Sequence, residues 1–381
     1  MVKRPKLLVW RSLALCAVLA TTAEAQTHFP DIDPKEPIQD CGSPKANPDI
    51  CRVRQAVRPE DAASHLGKDH MALWREGNRL LLVSCSAAPQ AGVAGALFAP
   101  LAKIDGTADL WSLVLDIPRL DEANLDVFPT PPAPGPFRAV LYRGPKAPPA
   151  AVTQADLQGQ VLQDEIDSQA LGAKRKLTIY LPPKFDPRKR YPVVYVADGA
   201  SVSYYAHVTE PAILDKRLPP LVLVGLHAGG GERRNRDYVL GWSDTSVPFV
   251  AHERFLIEEV MPRAESLWGA ATKREQRLIT GKSAGGSWAL DTALRHPDLF
   301  AQAAPAAIAS VSAEGVERPG RPRLWIVTGL FDPFLPRSRS IAERAAKSGD
   351  EIVLKTPVSG HGATFYQDQW VEMLAWAFGR P

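Results

Sequence analysis

The stretch LITGKSAGGSW, residues 278–288, places Ser283 between two glycines at the end of an apolar run. The apolar residues before it are typical of a buried strand, and residues 286–296 are typical of a helix that Pro297 ends. A strand, a tight turn of small residues around a serine, and then a helix is the arrangement that exposes a nucleophilic hydroxyl. The pattern therefore predicts that Ser283 is a nucleophile at a strand-to-helix turn, and that Lys282 occupies an unconstrained position of the motif.

A phosphate-binding loop and an ordinary turn are the two other interpretations of this stretch. A phosphate loop needs a glycine five residues before the GKS sequence, and that position is Gln276. No loop separates the predicted strand from GKS either. An ordinary turn explains the small residues but not the strand and the helix on either side of them.

A serine hydroxyl needs a base and a group that orients the base. In the α/β-hydrolase fold these partners follow in the order serine, acid, histidine. Asp332 in LWIVTGLFDPF comes directly after a predicted strand, and His361 in VSGHGATF lies between a strand and the last helix. Ser283, Asp332 and His361 are therefore the predicted triad. Three residues of the same types are less suitable by position: His296, Asp350 and Asp368.

An ester carbonyl attacked by serine becomes an oxyanion, which needs hydrogen-bond donors already in place. The backbone N–H of Ala284, directly after the serine, is the first predicted donor. The second is expected from the loop after PVVYVAD, at Gly199 or Ala200, where a small residue lets the backbone approach the substrate. An ordinary turn at these positions is the alternative.

The pattern of apolar residues differs between the two halves of the chain. Short β-like runs separated by turns extend from about 68 to 146, which predicts a small antiparallel β-sandwich of the immunoglobulin-like (early-set) type. After about 160, continuous apolar runs alternate with helical segments, near 252–266, 286–296, 338–347 and 364–378. This order predicts an α/β-hydrolase fold, a mostly parallel sheet with helices on both faces. The expected domains are 26–150, which ends in a proline-rich linker, and 160–381.

The first 25 residues read as an export signal. Basic residues precede the apolar run SLALCAVLATT, and Ala23-Glu24-Ala25 has the form of a cleavage site. A short membrane anchor is the alternative, but the run is well below the roughly 20 residues that a membrane span needs. We therefore expect a periplasmic or secreted protein without stable membrane insertion.

Removal of this segment leaves 41 basic and 41 acidic residues. A chain so near neutrality has no global field for nucleic acid, and no nucleic-acid-binding motif is present. The sequence also has no HExxH motif or metal-ligand spacing, so we expect neither metal nor cofactor. In an oxidising compartment, Cys41 and Cys51 are expected to form a disulfide across a short loop, and Cys85 is expected to be a buried thiol.

Several segments of the second half resemble the esterase family that includes esterase D, feruloyl esterases and enterochelin (siderophore) esterases. They span most of residues 170–365, in the family's order: KRKLTIYLPPKFDPRKRYPVVYVADG, RRNRDY, FLIEEVMP, GKSAGGSWALDTALRHPDLFAQAAP, GLFDPF and SGHG. The segment PLAKIDGTADLWSLVLDIP is similar to the β-sandwich that precedes the hydrolase domain in enterochelin esterases. The resemblance implies the same triad and adds Arg234 of RRNRDY, which would bind an anionic substrate or steady the oxyanion; a solvated charge cluster is the alternative.

Taken together, the sequence predicts an exported serine esterase that acts on a small-molecule ester. The resemblance implies a ferric siderophore of the enterochelin trilactone type as one substrate class. The alternatives are a carbohydrate esterase that releases feruloyl or acetyl groups, and an acyltransferase. A hydrolase-like binding protein without chemistry is less favoured, because such proteins usually lose the serine or the histidine.

Overall fold

The computed structural model describes residues 38–132, 138–242, 245–312, 314–347, 349 and 351–379. The predicted signal segment and the alternative acid Asp350 lie outside these residues. We refer to residues 38–143 as the N-terminal part and to residues 160–379 as the C-terminal part. Within the described residues, no helix is long and apolar enough to cross a membrane.

The described residues of the N-terminal part form one α-helix, one 3₁₀ turn (Leu120–Glu122) and short antiparallel strands. The elements are β1 (Cys51–Arg52), α1 (Pro59–Leu66), β2 (Met71–Glu76), β3 (Arg79–Cys85), β4 (Gly92–Gly95), β5 (Ala99–Pro100), β6 (Ala102–Lys103), β7 (Leu110–Asp116), β8 (Asn124–Thr130) and β9 (Val140–Arg143). One sheet has the order β1-β7-β3-β2 with β6 also on β7, and the other has the order β5-β4-β8-β9.

The side chains of β3 alternate between two hydrophobic clusters, one on each face of the strand. Leu80 and Leu82 face a core cluster shared with β4 and β8 of the second sheet, whereas Leu81 and Val83 face a smaller cluster under α1. Alternate side chains of a strand point to opposite faces, so one run of apolar residues fills two cores.

The C-terminal part is an eight-stranded sheet with helices on both faces. Its strands are β10 (Gln160–Ser168), β11 (Ala173–Leu181), β12 (Val193–Ala197), β13 (Val222–Leu226), β14 (Arg277–Lys282), β15 (Gln302–Ala306), β16 (Arg323–Val327) and β17 (Ile352–Lys355). Its helices are α2 (Val202–Leu214), α3 (Glu232–Tyr238), α4 (Val247–Arg254), α5 (Met261–Leu267), α6 (Ala284–Arg295), α7 (Leu335–Ala346) and α8 (Thr364–Phe378). A π-helical segment, Phe255–Val260, joins α4 to α5.

The sheet order is β10-β11-β13-β12-β14-β15-β16-β17. The pairs β10–β11 and β11–β13 are antiparallel, and the six strands from β13 to β17 run parallel. Strand β12 is buried on both faces, with Val193 and Tyr195 in one core cluster and Val194 and Val196 in the other. Crossover connections bring the carboxyl ends of parallel strands to one edge of a sheet, where loops can form a site.

Candidate active site

Ser283 lies at the carboxyl end of β14, directly before α6, in a strained backbone conformation. Its φ and ψ are 61° and −125°, a region that side-chain-bearing residues seldom occupy. The strand and helix meet so closely that a Cβ on Gly281 would lie 2.5 Å from the Gly285 carbonyl oxygen and 2.7 Å from Ala197 Cβ. The small residues around the serine are therefore required by close packing, and the turn holds the hydroxyl at the edge of the sheet.

Asp332 and His361 lie on the loops after β16 and β17 and are hydrogen-bonded to each other. The His361 Nδ1 to Asp332 Oδ2 distance is 2.8 Å. The Asp332 side chain is fully buried, and its Oδ1 accepts a 2.9 Å hydrogen bond from the backbone N–H of Phe334. The imidazole remains 12% exposed and lies near the rings of Phe334 and Phe98, at centroid distances of 5.2 and 6.4 Å. The carboxylate is thus fixed, and it orients a ring whose Nε2 is left for another partner.

Ser283 and His361 approach the same edge of the sheet without a direct hydrogen bond. Among the described residues, the Ser283 hydroxyl forms no hydrogen bond with the imidazole, whereas the neighbouring Lys282 Nζ donates to the His361 carbonyl oxygen at 3.0 Å. Hydrogen bonds between a nucleophile and its base are often long in unliganded enzymes and shorten when substrate binds. We refer to the loop between β17 and α8 that carries His361 as the histidine loop. This loop and the serine turn are therefore neighbours linked through Lys282.

Lys282 is not an unconstrained motif position, and that prediction was wrong. Its ammonium donates to the carbonyl oxygens of His361 and Gly362 at 3.0 and 2.8 Å. Burial lowers the pKa of this amine, an effect that the carboxylates of Asp332 and Asp126 oppose. No local sequence pattern indicated this role, because the acceptors lie about 80 residues further along the chain.

The backbone N–H groups predicted to bind an oxyanion lie at the first residues of two helical segments. Ala284 opens α6, where the first N–H groups of a helix have no intrahelical acceptor. Gly199 and Ala200 lie in the single 3₁₀ turn after β12, which follows Asp198 in a left-handed conformation with φ 55°. Gly199 is buried against the Gly225 backbone, and Ala200 is exposed.

Arg234 lies in α3, and its guanidinium is already paired within the protein. Its Nε and Nη2 each lie 2.7 Å from a carboxylate oxygen of Asp198, and Nη2 also donates to the Lys282 carbonyl oxygen at 3.3 Å. Burial disfavours the charged guanidinium, but the bidentate bond to Asp198 outweighs that effect and raises the pKa of Arg234. The side chain therefore connects the loop after β12 to the serine elbow, through an ion pair in which both side chains remain partly exposed.

The remaining predicted residues are paired with groups outside the predicted triad. His296 caps the end of α6 with its Nε2 3.2 Å from Glu253, and Asp368 in α8 binds Arg143 at 2.9 Å. Cys41 and Cys51 are joined by a disulfide. Cys85 is only partly buried, contrary to expectation, because its thiol lies at the end of β3 and donates to Asp109 Oδ2 at 3.3 Å.

Metal-ligand spacing occurs at one place in the described ranges. Ligand atoms of Cys41, Cys51 and Asp116 lie within 4.8 Å of one another. The two sulfurs of this group are bonded to each other, so they are not thiolates that could bind a metal.

Comparisons with known proteins agree with this architecture. The family model described as "Esterase: Putative esterase" matches residues 168–371, more than half of the chain. Over 150 residues the chain is 25% identical to the uncharacterized protein YjcH of Bacillus subtilis (strain 168); the match covers 38% of this chain and spans 60% of that relative.

Solved structures share the fold at low identity. Enterobactin esterase FES from Shigella flexneri, in the presence of enterobactin, aligns with TM-score 0.64 and 15% identity, over 82% of this chain and 97% of that one. A ferulic acid esterase aligns with TM-score 0.52 and 18% identity, over 59% and 99%. BES protein from Bacillus cereus aligns with TM-score 0.51 and 16% identity, over 59% and 98%. With most of the C-terminal part matched by the family model, this chain belongs to that esterase family and is a carboxylic ester hydrolase.

Proposed function

We propose that the protein is a serine esterase in which Ser283 is the nucleophile, His361 the base and Asp332 the orienting acid. One observation carries the proposal. The 2.8 Å hydrogen bond between Asp332 and His361 Nδ1 lies at the same sheet edge as a serine held in a strained elbow. This combination of a serine hydroxyl at a tight turn, an oriented imidazole and a buried carboxylate is the arrangement that activates serine.

The mechanism follows from these roles. His361 Nε2 takes the proton of Ser283 as the hydroxyl oxygen attacks the ester carbonyl carbon. Asp332 stabilises the imidazolium, and the N–H of Ala284 with that of Gly199 or Ala200 donates to the oxyanion. Collapse of the tetrahedral intermediate expels the alcohol, which takes the proton back from His361. Water then attacks the acyl-enzyme by the same sequence of proton transfers and releases the acid.

We further propose a siderophore-type trilactone as the substrate class, with feruloyl or acetyl esters of carbohydrates as the second candidate. The likeness to enterobactin esterase extends over 82% of the chain and so includes the N-terminal part, whereas the likeness to ferulic acid esterase covers 59%. Phe98 of the N-terminal part also borders His361. Arg234 remains a candidate for contact with an anionic substrate, since its pairing with Asp198 leaves Nη1 without a carboxylate partner among the described residues.

The domain organisation and the location of the protein belong to the same proposal. Residues 1–25 would be an export signal, 26–150 an immunoglobulin-like sandwich and 160–381 the catalytic domain. Two antiparallel sheets with a shared core support the sandwich. The disulfide between Cys41 and Cys51 supports a periplasmic or secreted location, because such bonds persist in oxidising compartments.

A panel of esters tests the activity. Short p-nitrophenyl esters, feruloyl and acetyl sugars and ferric enterobactin would be offered to the wild type and to Ser283→Ala, with Ser266→Ala, an exposed serine of α5, as the matched control. We expect Ser283→Ala to lose activity by about 10⁴-fold or more, because the nucleophile is removed. A fluorophosphonate probe should label the wild type and Ser266→Ala but not Ser283→Ala.

The same panel separates the alternatives. Transfer of the acyl group to an added alcohol in preference to water would identify an acyltransferase. Equal labelling of wild type and Ser283→Ala, or no labelling and no turnover in the wild type, would contradict the proposed mechanism.

A further inference from the structure

The peptide bond between Gly362 and Ala363, directly after His361, is held at both ends by buried charges. The Gly362 carbonyl oxygen accepts a hydrogen bond from Lys282 Nζ at 2.8 Å. The Ala363 N–H donates to the Asp126 carboxylate, at 2.8 Å to Oδ2 and 3.1 Å to Oδ1. The C=O and N–H of a trans peptide point in opposite directions, so the cation and the anion grip one peptide plane from opposite sides.

Asp126 belongs to β8 of the N-terminal part, although its hydrogen bonds are made to the C-terminal part. Besides Ala363, it accepts from Thr364 Oγ1 at 2.9 Å and Thr364 N at 3.4 Å. These groups open α8, whose own N-cap position makes no side-chain capping bond. A carboxylate at this place satisfies unpaired donors and favours the helix dipole. Asp126 is therefore the cap of α8, supplied from 237 residues away.

Other contacts hold the same loop against the N-terminal part. The Asn124 N–H donates to the Val358 carbonyl oxygen at 2.9 Å. A Cβ on Gly360 would overlap the Ala96 carbonyl oxygen, and one on Gly362 would overlap the Asp126 carboxylate. The glycines on either side of His361 are thus needed because the N-terminal part comes so close.

We propose that Lys282 and Asp126 are a pair of positioning residues that clamp the Gly362–Ala363 peptide. The clamp holds the His361 side chain where it can accept the proton of Ser283. The N-terminal part then completes the active site through Asp126. The inference rests on the proposed roles of Ser283 and His361. It adds two residues that act through the histidine loop without touching the reacting atoms.

Four variants test the clamp in the full-length protein. Asp126→Ala removes the acceptor, Asp126→Asn keeps one carbonyl oxygen, Lys282→Met removes the ammonium at similar length, and a double variant combines Asp126→Ala with Lys282→Met. Arg143→Met is the matched control, because it removes another contact between the two parts, the ion pair with Asp368, without touching the histidine loop.

Two readouts are used. The first is kcat and KM for the ester that the wild type cleaves, with the rate of fluorophosphonate labelling. The second is amide hydrogen exchange of the peptide covering residues 358–364, which needs no activity. Asp126→Ala and Lys282→Met should each lower kcat about 100-fold with little change in KM, since a displacement of about 1 Å is enough for such a loss. The same peptide should exchange faster in both variants.

The matched variants sharpen the expectation. Asp126→Asn should recover to within about tenfold of wild type, because an asparagine oxygen still caps the helix. The double variant should lose little more than the more damaging single one, since both act on one peptide plane. Arg143→Met should keep wild-type kcat and wild-type exchange of residues 358–364.

Wild-type kcat and exchange in Asp126→Ala would overturn the clamp, and so would a double variant whose loss is the product of the two single losses. The clamp and the proposed function can fail separately. An active wild type with unaffected variants contradicts the clamp alone. An inert wild type whose loop nevertheless exchanges faster in both variants contradicts the proposed function alone.

Discussion

At the scale of single residues, His252 in α4 is an ionisable group enclosed by aromatic rings. Its ring centroid lies 5.2 Å from that of Tyr238, 5.5 Å from Trp288 and 5.7 Å from Phe255. Among the described residues, neither ring nitrogen has a hydrogen-bond partner. Burial, aided by the charge of Arg175, lowers the pKa of His252 from 6.5 to about 3. The imidazole is therefore neutral in the folded protein at any mildly acidic pH.

This residue should make the protein less stable in acid. Below about pH 6.5 the unfolded chain binds a proton at His252 that the folded chain does not bind, so stability falls as pH decreases toward 3 and is unaffected above 6.5. The slope approaches about 1.4 kcal/mol per pH unit, which amounts to roughly 2 kcal/mol by pH 5. His252→Phe should remove this part of the pH dependence in urea unfolding measured from pH 7.5 to 5.

His65→Phe is the control for this measurement, because it removes an exposed imidazole in α1. An unchanged difference in unfolding free energy between pH 7.5 and 5 in His252→Phe would show that His252 has the same pKa in the folded protein as in the unfolded chain, and would contradict the prediction.

At the scale of secondary-structure elements, Glu210 of α2 binds residues just before β10 and on β11, the first two strands of the eight-stranded sheet. Its carboxylate is fully buried and accepts from the N–H of Gln158 at 2.6 Å, the N–H of Gly159 at 2.8 Å and the Tyr180 hydroxyl at 3.0 Å. These donors lead into β10 or lie on β11. One carboxylate therefore holds the β10–β11 hairpin against α2, the helix that follows the Gly199–Ser201 turn.

Glu210→Gln should destabilise the protein by about 1–3 kcal/mol. The amide nitrogen cannot accept a hydrogen bond, so at least one buried donor loses its partner. Chemical denaturation at neutral pH measures the effect. Glu165→Gln, on the same hairpin but paired with Lys174 at an exposed position, is the matched control and should change stability by less than about 0.5 kcal/mol. Equal effects of the two substitutions would contradict the role of Glu210.

The elements that the sequence predicted well are those with a strong local pattern. The helix expected at 364–378 matches α8, and the one expected at 286–296 corresponds to α6, Ala284–Arg295. Strand β15 has no such pattern, because its sequence QAAPA contains no β-branched or aromatic residue. It forms because β14 and β16 offer hydrogen bonds on both sides, an effect of tertiary structure.

The same distinction holds for the site. Ser283, Asp332 and His361 each follow a predicted strand, so the chain itself indicates where their side chains can meet. The functions of Lys282 and Asp126 depend on carbonyl and N–H groups of a distant loop, and backbone groups carry no sequence signature. The ion pair between Arg234 and Asp198 was missed for a similar reason, since Asp198 lies on the turn after β12 and Arg234 lies in α3, 36 residues away along the chain.

At the scale of the whole molecule, the two parts share one hydrophobic core. The core cluster of the N-terminal sheets also contains Leu330, Leu335 and Val358, which lie on the loop after β16, at the start of α7 and on the loop after β17. Burial of such side chains contributes roughly 1.5–3 kcal/mol each. Separation of the two parts would expose them, so we expect the parts to unfold together.

A substitution in the core of the C-terminal part should therefore lower the stability of both parts. Leu335→Ala, in the shared core, should cost about 2–5 kcal/mol. Leu374→Ala, in α8 within a core of the C-terminal part only, should do the same. Hydrogen exchange in increasing urea, read from peptides of β3 and of β14, should show one common midpoint that both variants shift. A midpoint of β3 that stays in place in Leu374→Ala would mean that the parts unfold independently.

The peptide plane gripped by Lys282 and Asp126 also limits how the protein can be recombined. A chimera that joins this catalytic half to an amino-terminal module from another hydrolase would keep the Lys282 ammonium but lose the Asp126 carboxylate. Such grafts should be active only when the new module supplies both the acidic side chain and the close approach of residue 96. The two glycines that accommodate these groups must be kept as well.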